Sequence, residues 1–318
     1  MIKAMRCFIA GGAGFIGSNL TRRLIELGWD VTVYDNLSMG RKDFLKIFFK
    51  NKRFRFIKGD LLNNRLLHKH IKGHDVVFHF AASSDISLGT QKTDLDMKNG
   101  FLSTYNILEG MRKHNIRKII FTSSGSVYGK ASKLYFREDD GPIFPLSLYA
   151  ASKVASEAYI SAFCNVYSIE AWIFRLANII GPNATHGVIF DFINKLKKAP
   201  KNLQVLGDGN QTKPYLYIDE CIDGILYAIN HSNDRLNYFN LSCNDTVNVK
   251  EIARVIIEIM GLKNVQLHYT GEETGWPGDQ KKIGLNPSKI NKLGWKAKLT
   301  SEEAVRLAAK KILEQRSL

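Results

Sequence analysis

Arg6-Cys7-Phe8-Ile9-Ala10-Gly11-Gly12-Ala13-Gly14-Phe15-Ile16-Gly17 carries an apolar strand into a glycine turn, and Ser18 to Leu27 continues as a helical pattern. That setting turns a glycine pattern into a candidate dinucleotide site. Gly11 allows the tight turn, Gly14 lets the backbone approach a pyrophosphate, and Gly17 permits close packing of helix on strand. The helix N-terminus then faces the negative charge.

Outward from this turn, short apolar runs alternate with helical patterns. The runs are Asp30 to Tyr34, Phe54 to Ile57, Val76 to Phe80 and Lys118 to Phe121. This rhythm predicts an α/β chain, a Rossmann-type doubly wound parallel sheet with a smaller, interwoven α/β substrate-binding domain. Residues 1–175 are expected to form the nucleotide-binding domain, with about 214–240 returning to it, and 176–318 to be mainly substrate-binding. Beyond Arg175 the pattern loosens, with helices near Ile189 to Lys198, Asp219 to Ile229 and Lys250 to Met260. Thr300 and Glu303 form a capping box ahead of the stripe Val305, Leu307, Ala308 and Ile312.

The chain has 318 residues, 45% of them hydrophobic, enough to bury a full core. Cys7, Cys164, Cys221 and Cys243 stand singly and read as reduced core thiols of a cytoplasmic protein. Glycines interrupt the apolar N-terminal run, so it reads as a strand rather than a signal peptide, and no run is long enough for a bilayer. No membrane association is expected. His79 lies on an apolar strand and His186 in a loop, and no His/Cys/Asp/Glu grouping has ligand spacing, so no metal is expected.

The formal charge is +15. Nucleic-acid binding is the reading this charge raises, above all at Lys46 to Phe56, where basic and aromatic residues interleave. Phe54 and Phe56 alternate with Arg53 and Arg55 as in a half-buried strand, and charge runs usually mark solvated faces. No nucleic acid is therefore expected as partner. The lysines from Lys195 to Lys201 read in the same way, as a solvated face beside the apolar stripe Phe190, Ile193 and Leu196.

Asp35 ends the second strand, where a carboxylate accepts hydrogen bonds from adenosine ribose hydroxyls and repels a 2′-phosphate. The cofactor expected is NAD, although Arg41 and Lys42 stand nearby. Asp60 and Leu61 close a later strand beside the adenine, and Ala81 and Ala82 supply small residues for close approach. A second constellation is Tyr149-Ala150-Ala151-Ser152-Lys153, with Ser123-Ser124-Gly125-Ser126-Val127-Tyr128-Gly129 upstream. Tyr149 and Lys153 share a helix face. The lysine charge is expected to lower the tyrosine pKa, so that a phenolate can take a proton from an alcohol.

Together these residues resemble the extended short-chain dehydrogenase/reductases, and within them the NAD-dependent nucleotide-sugar epimerase/dehydratase enzymes, most like the UDP-glucose 4-epimerases. Asp35-Asn36-Leu37-Ser38-Met39-Gly40-Arg41, Arg175-Leu176-Ala177-Asn178, His186-Gly187-Val188-Ile189-Phe190-Asp191-Phe192 and Gly207-Asp208-Gly209-Asn210-Gln211-Thr212-Lys213 carry the resemblance. It implies that Tyr149 is the base, that Lys153 tunes it and holds the nicotinamide ribose, and that Ser124 hydrogen-bonds the reacting sugar oxygen. The implied cofactor set is Gly11, Gly14, Phe15, Ile16, Gly17, Asp35, Asn36, Ser38, Asp60, Leu61, Ala81 and Ala82 with Tyr149 and Lys153. Ser124, Asn178, Val188 and Lys213 are the implied substrate-binding set, for a nucleotide-diphosphate sugar.

The dehydratase and decarboxylase branches carry an acid where Gly125 and Ser126 stand, so the motif implies a 4-epimerase of UDP-hexose type working through a transient 4-keto sugar. A C4 dehydrogenase, or an epimerase at another carbon, is the alternative. A non-catalytic NAD-binding regulator is the alternative of another class, although such a protein would be expected to lose Tyr149 and Lys153. Three positions depart from the family pattern. Lys213 stands for an arginine, Thr274 and Trp276 occupy the place of another arginine that Lys281 or Lys282 could replace, and Gly100 stands for an asparagine beside Asn99. Helices near Gly100 to His114 and Ser152 to Tyr167 are expected to pair two subunits into a homodimer.

Overall fold

A computed structural model of the chain describes residues 4–83, 86–130, 133–271 and 282–315. Seven strands form the main sheet: β1 (Arg6–Ala10), β2 (Asp30–Asp35), β3 (Phe54–Lys58), β4 (Val76–His79), β5 (Lys118–Ser124), β6 (Glu170–Leu176) and β7 (Leu236–Leu241). Their order is β7-β6-β5-β4-β1-β2-β3. Pairing is parallel, with Ala10 opposite both Tyr34 and His79. At the far edge Ala171 N donates to Arg235 O and Ala177 N to Leu241 O, a constant offset that fits the same direction. The order reverses between β1 and β4, so the doubly wound sheet has its switch point where the glycine turn leaves β1.

The helices of this part of the chain include α1 (Phe15–Glu26), α2 (Asn64–Ile71), α3 (Ser103–Lys113) and α4 (Leu148–Tyr167). The face that α3 and α4 bury consists of Ile107, Leu108, Met111, Ile160 and Phe163, packed with Phe8, Val77, Ile119 and Phe121 from the strands. α1 begins at Phe15, three residues before the expected Ser18, because the turn feeds straight into it: Gly14 is its N-cap, and Ser18 N donates to Gly14 O at 2.9 Å. α4 starts where Ser147 accepts a hydrogen bond from Ala150 N.

The helix expected from Gly100 begins as a π-helical turn over Met97–Leu102 that runs into α3. The glycine explains how closely this turn approaches α4, since a Cβ on Gly100 would lie 2.3 Å from Ser152 Oγ. Around Lys46 to Phe56 the aromatic rings pack on one another: Phe49 meets Phe54 and Phe56, Phe48 meets Phe54, and Lys42 sits over Phe49 and Phe56.

The chain separates into two compact units. The first holds residues 1–129, 141–175 and 225–239, and the second 130–140, 176–224 and 240–318. In the second unit lie α5 (Val188–Lys198), α7 (Val249–Ile259) and α8 (Ser301–Gln315), while α6 (Ile218–His231) crosses from the second unit into the first. Short strand pairs complete the second unit, among them Asn178–Ile180 with Tyr215–Tyr217 and Thr212–Lys213 with Val247–Asn248.

The capping box forms reciprocally: Thr300 N donates to Glu303 Oε2 at 2.8 Å and Glu303 N to Thr300 Oγ1 at 3.2 Å. It anchors α8, whose Ala304, Val305, Ala308 and Ile312 are buried. Replacing Thr300→Ala is expected to destabilise the fold by about 1 kcal/mol, read as a lower midpoint in urea denaturation at unchanged slope.

Candidate active site

The glycine turn is built for close approach. Gly11 has φ +80°, and a Cβ there would lie 2.5 Å from Ala81 N. On Gly17 a Cβ would lie 2.3 Å from Gly11 O. Neither position accepts a side chain without moving backbone, which leaves the amides at the start of α1 open to an anion. Ala81 is therefore brought against the turn, and Ala82 follows it in the chain.

Asp35 is buried at the end of β2. Its Oδ2 accepts from Ala13 N at 2.9 Å and its Oδ1 from Leu37 N at 2.8 Å, which ties the carboxylate to the glycine turn. Burial raises its pKa, and these two N–H groups pull it back. A Cβ on Gly40 would come within 2.9 Å of both carboxylate oxygens, so the glycine leaves the carboxylate uncovered on that side. Asn36 Nδ2 reaches Asp60 Oδ2 at 3.2 Å, Ser38 N donates to Asn36 Oδ1, and Tyr34 OH donates to Asp60 O. Leu61, the next residue, is buried and its carbonyl accepts from Asn106 Nδ2. Gly11, Gly14, Phe15, Ile16, Gly17, Asp35, Asn36, Ser38, Asp60, Leu61, Ala81 and Ala82 thus lie on the turn or just after β2, β3 and β4, at one edge of the sheet. These cradling glycines and a ribose-type carboxylate fit NAD.

Ser124 ends β5 and caps the short 3-10 helix Gly125–Tyr128, accepting from Ser126 N at 3.2 Å and Ser126 Oγ at 2.9 Å. The Ser124 hydroxyl acts on the Tyr149 phenol, lowering its pKa. Lys153 Nζ lies 5.7 Å from the Tyr149 ring centre and 4.7 Å from that of Phe121, and donates to Thr122 O at 2.7 Å. The fold therefore gathers Ser124, Tyr149 and Lys153. Burial dominates both titrations: it pushes the Tyr149 phenol up to about 12, against the Ser124 hydrogen bond, and pulls Lys153 down to about 8. Without cofactor Tyr149 is a neutral phenol at neutral pH, with burial outweighing the pull expected from the lysine.

Other groups around the lysine carry no obvious sequence signal. The Thr122 carbonyl is backbone, and only the sheet brings it to Lys153. Glu157, one turn beyond Lys153, is paired with Arg175 at 2.7 Å. Asp96 is buried and acts electrostatically on both Lys153 and Tyr149; the available signal was its place one helical turn before Gly100.

Asn178, Val188 and Lys213 belong to the second unit. Asn178 opens the strand Asn178–Ile180 and its N–H donates to Pro214 O. Val188 is the first residue of α5, behind Gly187 with φ +100°, and Lys213 pairs with Val247. Thr274, Trp276 and Lys281 lie outside the described residues. Lys282 bridges to Thr212, next to Lys213. The four cysteines are free and buried, and burial raises every thiol pKa, so none is a ready nucleophile.

The sequence profile of the NAD dependent epimerase/dehydratase family matches residues 7–242. A UDP-glucose 4-epimerase of Mycolicibacterium smegmatis is 34% identical over 231 residues, covering 70% of this chain and 73% of that protein. Among solved structures, a UDP-galactose 4-epimerase superposes with a TM-score of 0.87 at 34% identity, covering 98% of this chain and 99% of that one. A UDP-glucose 4-epimerase from Thermotoga maritima with UDP-glucose gives 0.89 at 27% identity, covering 99% and 100%.

His79 lies at the end of β4, fully buried, with Nε2 2.9 Å from Thr104 Oγ1. Burial, then the Lys153 charge, lowers its pKa to about 3 from 6.5. Between those values the unfolded chain binds a proton that the folded chain refuses, so stability falls as pH falls. The slope expected from this one group is about 1.4 kcal/mol per pH unit. Denaturation curves from pH 6.5 down to pH 4 should show that His79→Gln loses this part of the slope.

Proposed function

The chain belongs to the NAD dependent epimerase/dehydratase family, and from that premise we propose that it is a nucleotide-sugar 4-epimerase of UDP-hexose type. The observation that carries the reading is the convergence of Ser124, Tyr149 and Lys153 beside the end of the sheet that bears the glycine turn. The absence of an acid at Gly125 and Ser126 supports it against a dehydratase, which must protonate a leaving hydroxyl.

When bound, NAD supplies a hydride acceptor at C4 and positive charge next to the Tyr149 phenol. Gly11, Gly14, Gly17 and the first amides of α1 hold its pyrophosphate, and Asp35 its adenosine ribose. Asn36, Ser38, Asp60, Leu61, Ala81 and Ala82 line the adenosine side. Lys153 keeps an ammonium against the nicotinamide ribose and, with that added positive charge, brings the tyrosine into its working range. Tyr149 takes the C4 hydroxyl proton and returns it, while Ser124 holds the same oxygen through a hydrogen bond. The family resemblance assigns Asn178, Val188 and Lys213 to the sugar diphosphate. Between the two half-reactions the 4-keto sugar turns its other face, so the cycle ends with no net redox change.

Purified enzyme with NAD should interconvert UDP-glucose and UDP-galactose, or another pair of C4 epimers, without net NADH. Tyr149→Phe should lower kcat by about 10²- to 10⁴-fold. NADH rising with a keto product would favour the C4 dehydrogenase reading instead. That reading draws on Gly100, whose packing against Ser152 leaves no side chain at the position where relatives have asparagine.

The assembly we propose is a homodimer built on α3 and α4. Leu102, Tyr105, Tyr159 and Val166 are exposed apolar side chains of these helices and of the π-helical turn that leads into α3. Phe101 and Tyr105 both meet the Tyr159 ring. Light scattering should give twice the chain mass, and Val166→Glu should shift the protein towards monomer; a monomer in the unmodified protein would rule this interface out.

A further inference from the structure

Two carboxylates act on Lys153, and they are satisfied in different ways. Glu157 is held by Arg175 through contacts of 2.7, 3.1 and 3.2 Å. Asp96 is 1% exposed, and its Oδ2 has no hydrogen-bond partner among the described residues. The chain makes room for that oxygen, since a Cβ on Gly89 would lie 2.2 Å from it. A carboxylate buried without donors is costly unless a cation answers it.

Asp96 stands at the N-terminal end of the π-helical turn Met97–Leu102, which packs on α4. At Gly100 this turn lies so close to Ser152, the neighbour of Lys153, that no side chain fits there. The acidic group that acts on Lys153 from this side is therefore Asp96, one helical turn earlier.

We infer that Asp96 is a positioning residue for Lys153, the buried counter-charge that keeps the lysine protonated inside the protein and free to hold the nicotinamide ribose. This rests on the reading of Lys153 and Tyr149 as the working pair. The electrostatics agree with the geometry. Burial lowers Lys153, whereas Glu157 and Asp96 raise it. Burial raises Asp96, and Lys153 lowers it in return. Asp96 also raises Tyr149, so it ties the charge of the pair together. His79, the titratable group contributed by β4, is lowered to about 3 and stays neutral.

The test is a ¹³C NMR titration of the full chain carrying ε-¹³C-lysine, with the Lys153 signal identified by its loss in Lys153→Met. In Asp96→Asn the proton affinity of Lys153 should drop by about threefold or more. A midpoint within about twofold of the unmodified protein would overturn the inference. Should Asp96→Asn not fold, γ-¹³C-aspartate labelling of Lys153→Met supplies the reciprocal measurement. Among the described residues burial holds two aspartates above the ordinary range, Asp35 and Asp96; the one whose signal survives Asp35→Asn is Asp96, and in Lys153→Met it should move higher by a similar factor, because the coupling is mutual; an unmoved signal would overturn the inference equally. In the epimerase assay, the alkaline limb of kcat should move to lower pH in Asp96→Asn. The titrations need no nucleotide sugar. A Lys153 shift in a protein that converts no sugar therefore sinks the epimerase reading alone, and epimerisation with an unmoved Lys153 sinks the Asp96 inference alone.

Discussion

Everything in the first unit depends on how closely the turn after β1 approaches its surroundings. Gly11 sits against the backbone of Ala81, and Gly17 against Gly11 itself, at separations that no side chain tolerates. This contact locks the start of α1 to the sheet at its switch point. It also aims the first amides of the helix at one spot and brings Asp35 within hydrogen-bond reach of Ala13. Open amides at the helix start and a buried carboxylate beside them thus come from one steric constraint, and the strand order puts β4 and β5 on the other side of the same edge.

A second constraint is electrostatic. Lys153 and Tyr149 are both buried, and such an interior discharges a lysine and neutralises a tyrosine. The protein meets this with several partial compensations. The Thr122 carbonyl accepts a hydrogen bond from Lys153, the Phe121 ring lies under the ammonium, and Glu157 adds negative charge while itself tethered to Arg175. The ligand-free tyrosine is still raised to about 12, so the resting site is uncharged at that oxygen.

The sequence by itself determined the sheet, the glycine turn, Asp35, and the Tyr149 and Lys153 pair, because each depends on local periodicity or on spacing within one helix or turn. Strand and helix positions agree with the apolar rhythm to within a few residues, and the capping box of α8 was legible for the same reason. Where α1 begins was missed by three residues, since a turn that runs directly into a helix leaves no polar cap to read. The π-helical turn at Met97–Leu102 was illegible too, because its geometry follows from how closely Gly100 meets Ser152, more than fifty residues away. Only the tertiary structure decided the surroundings of Lys153. The Thr122 carbonyl, the Arg175 and Glu157 pair and the buried Asp96 come from separate elements, and a pKa depends on the distance and burial they create together, which no one-dimensional spacing encodes.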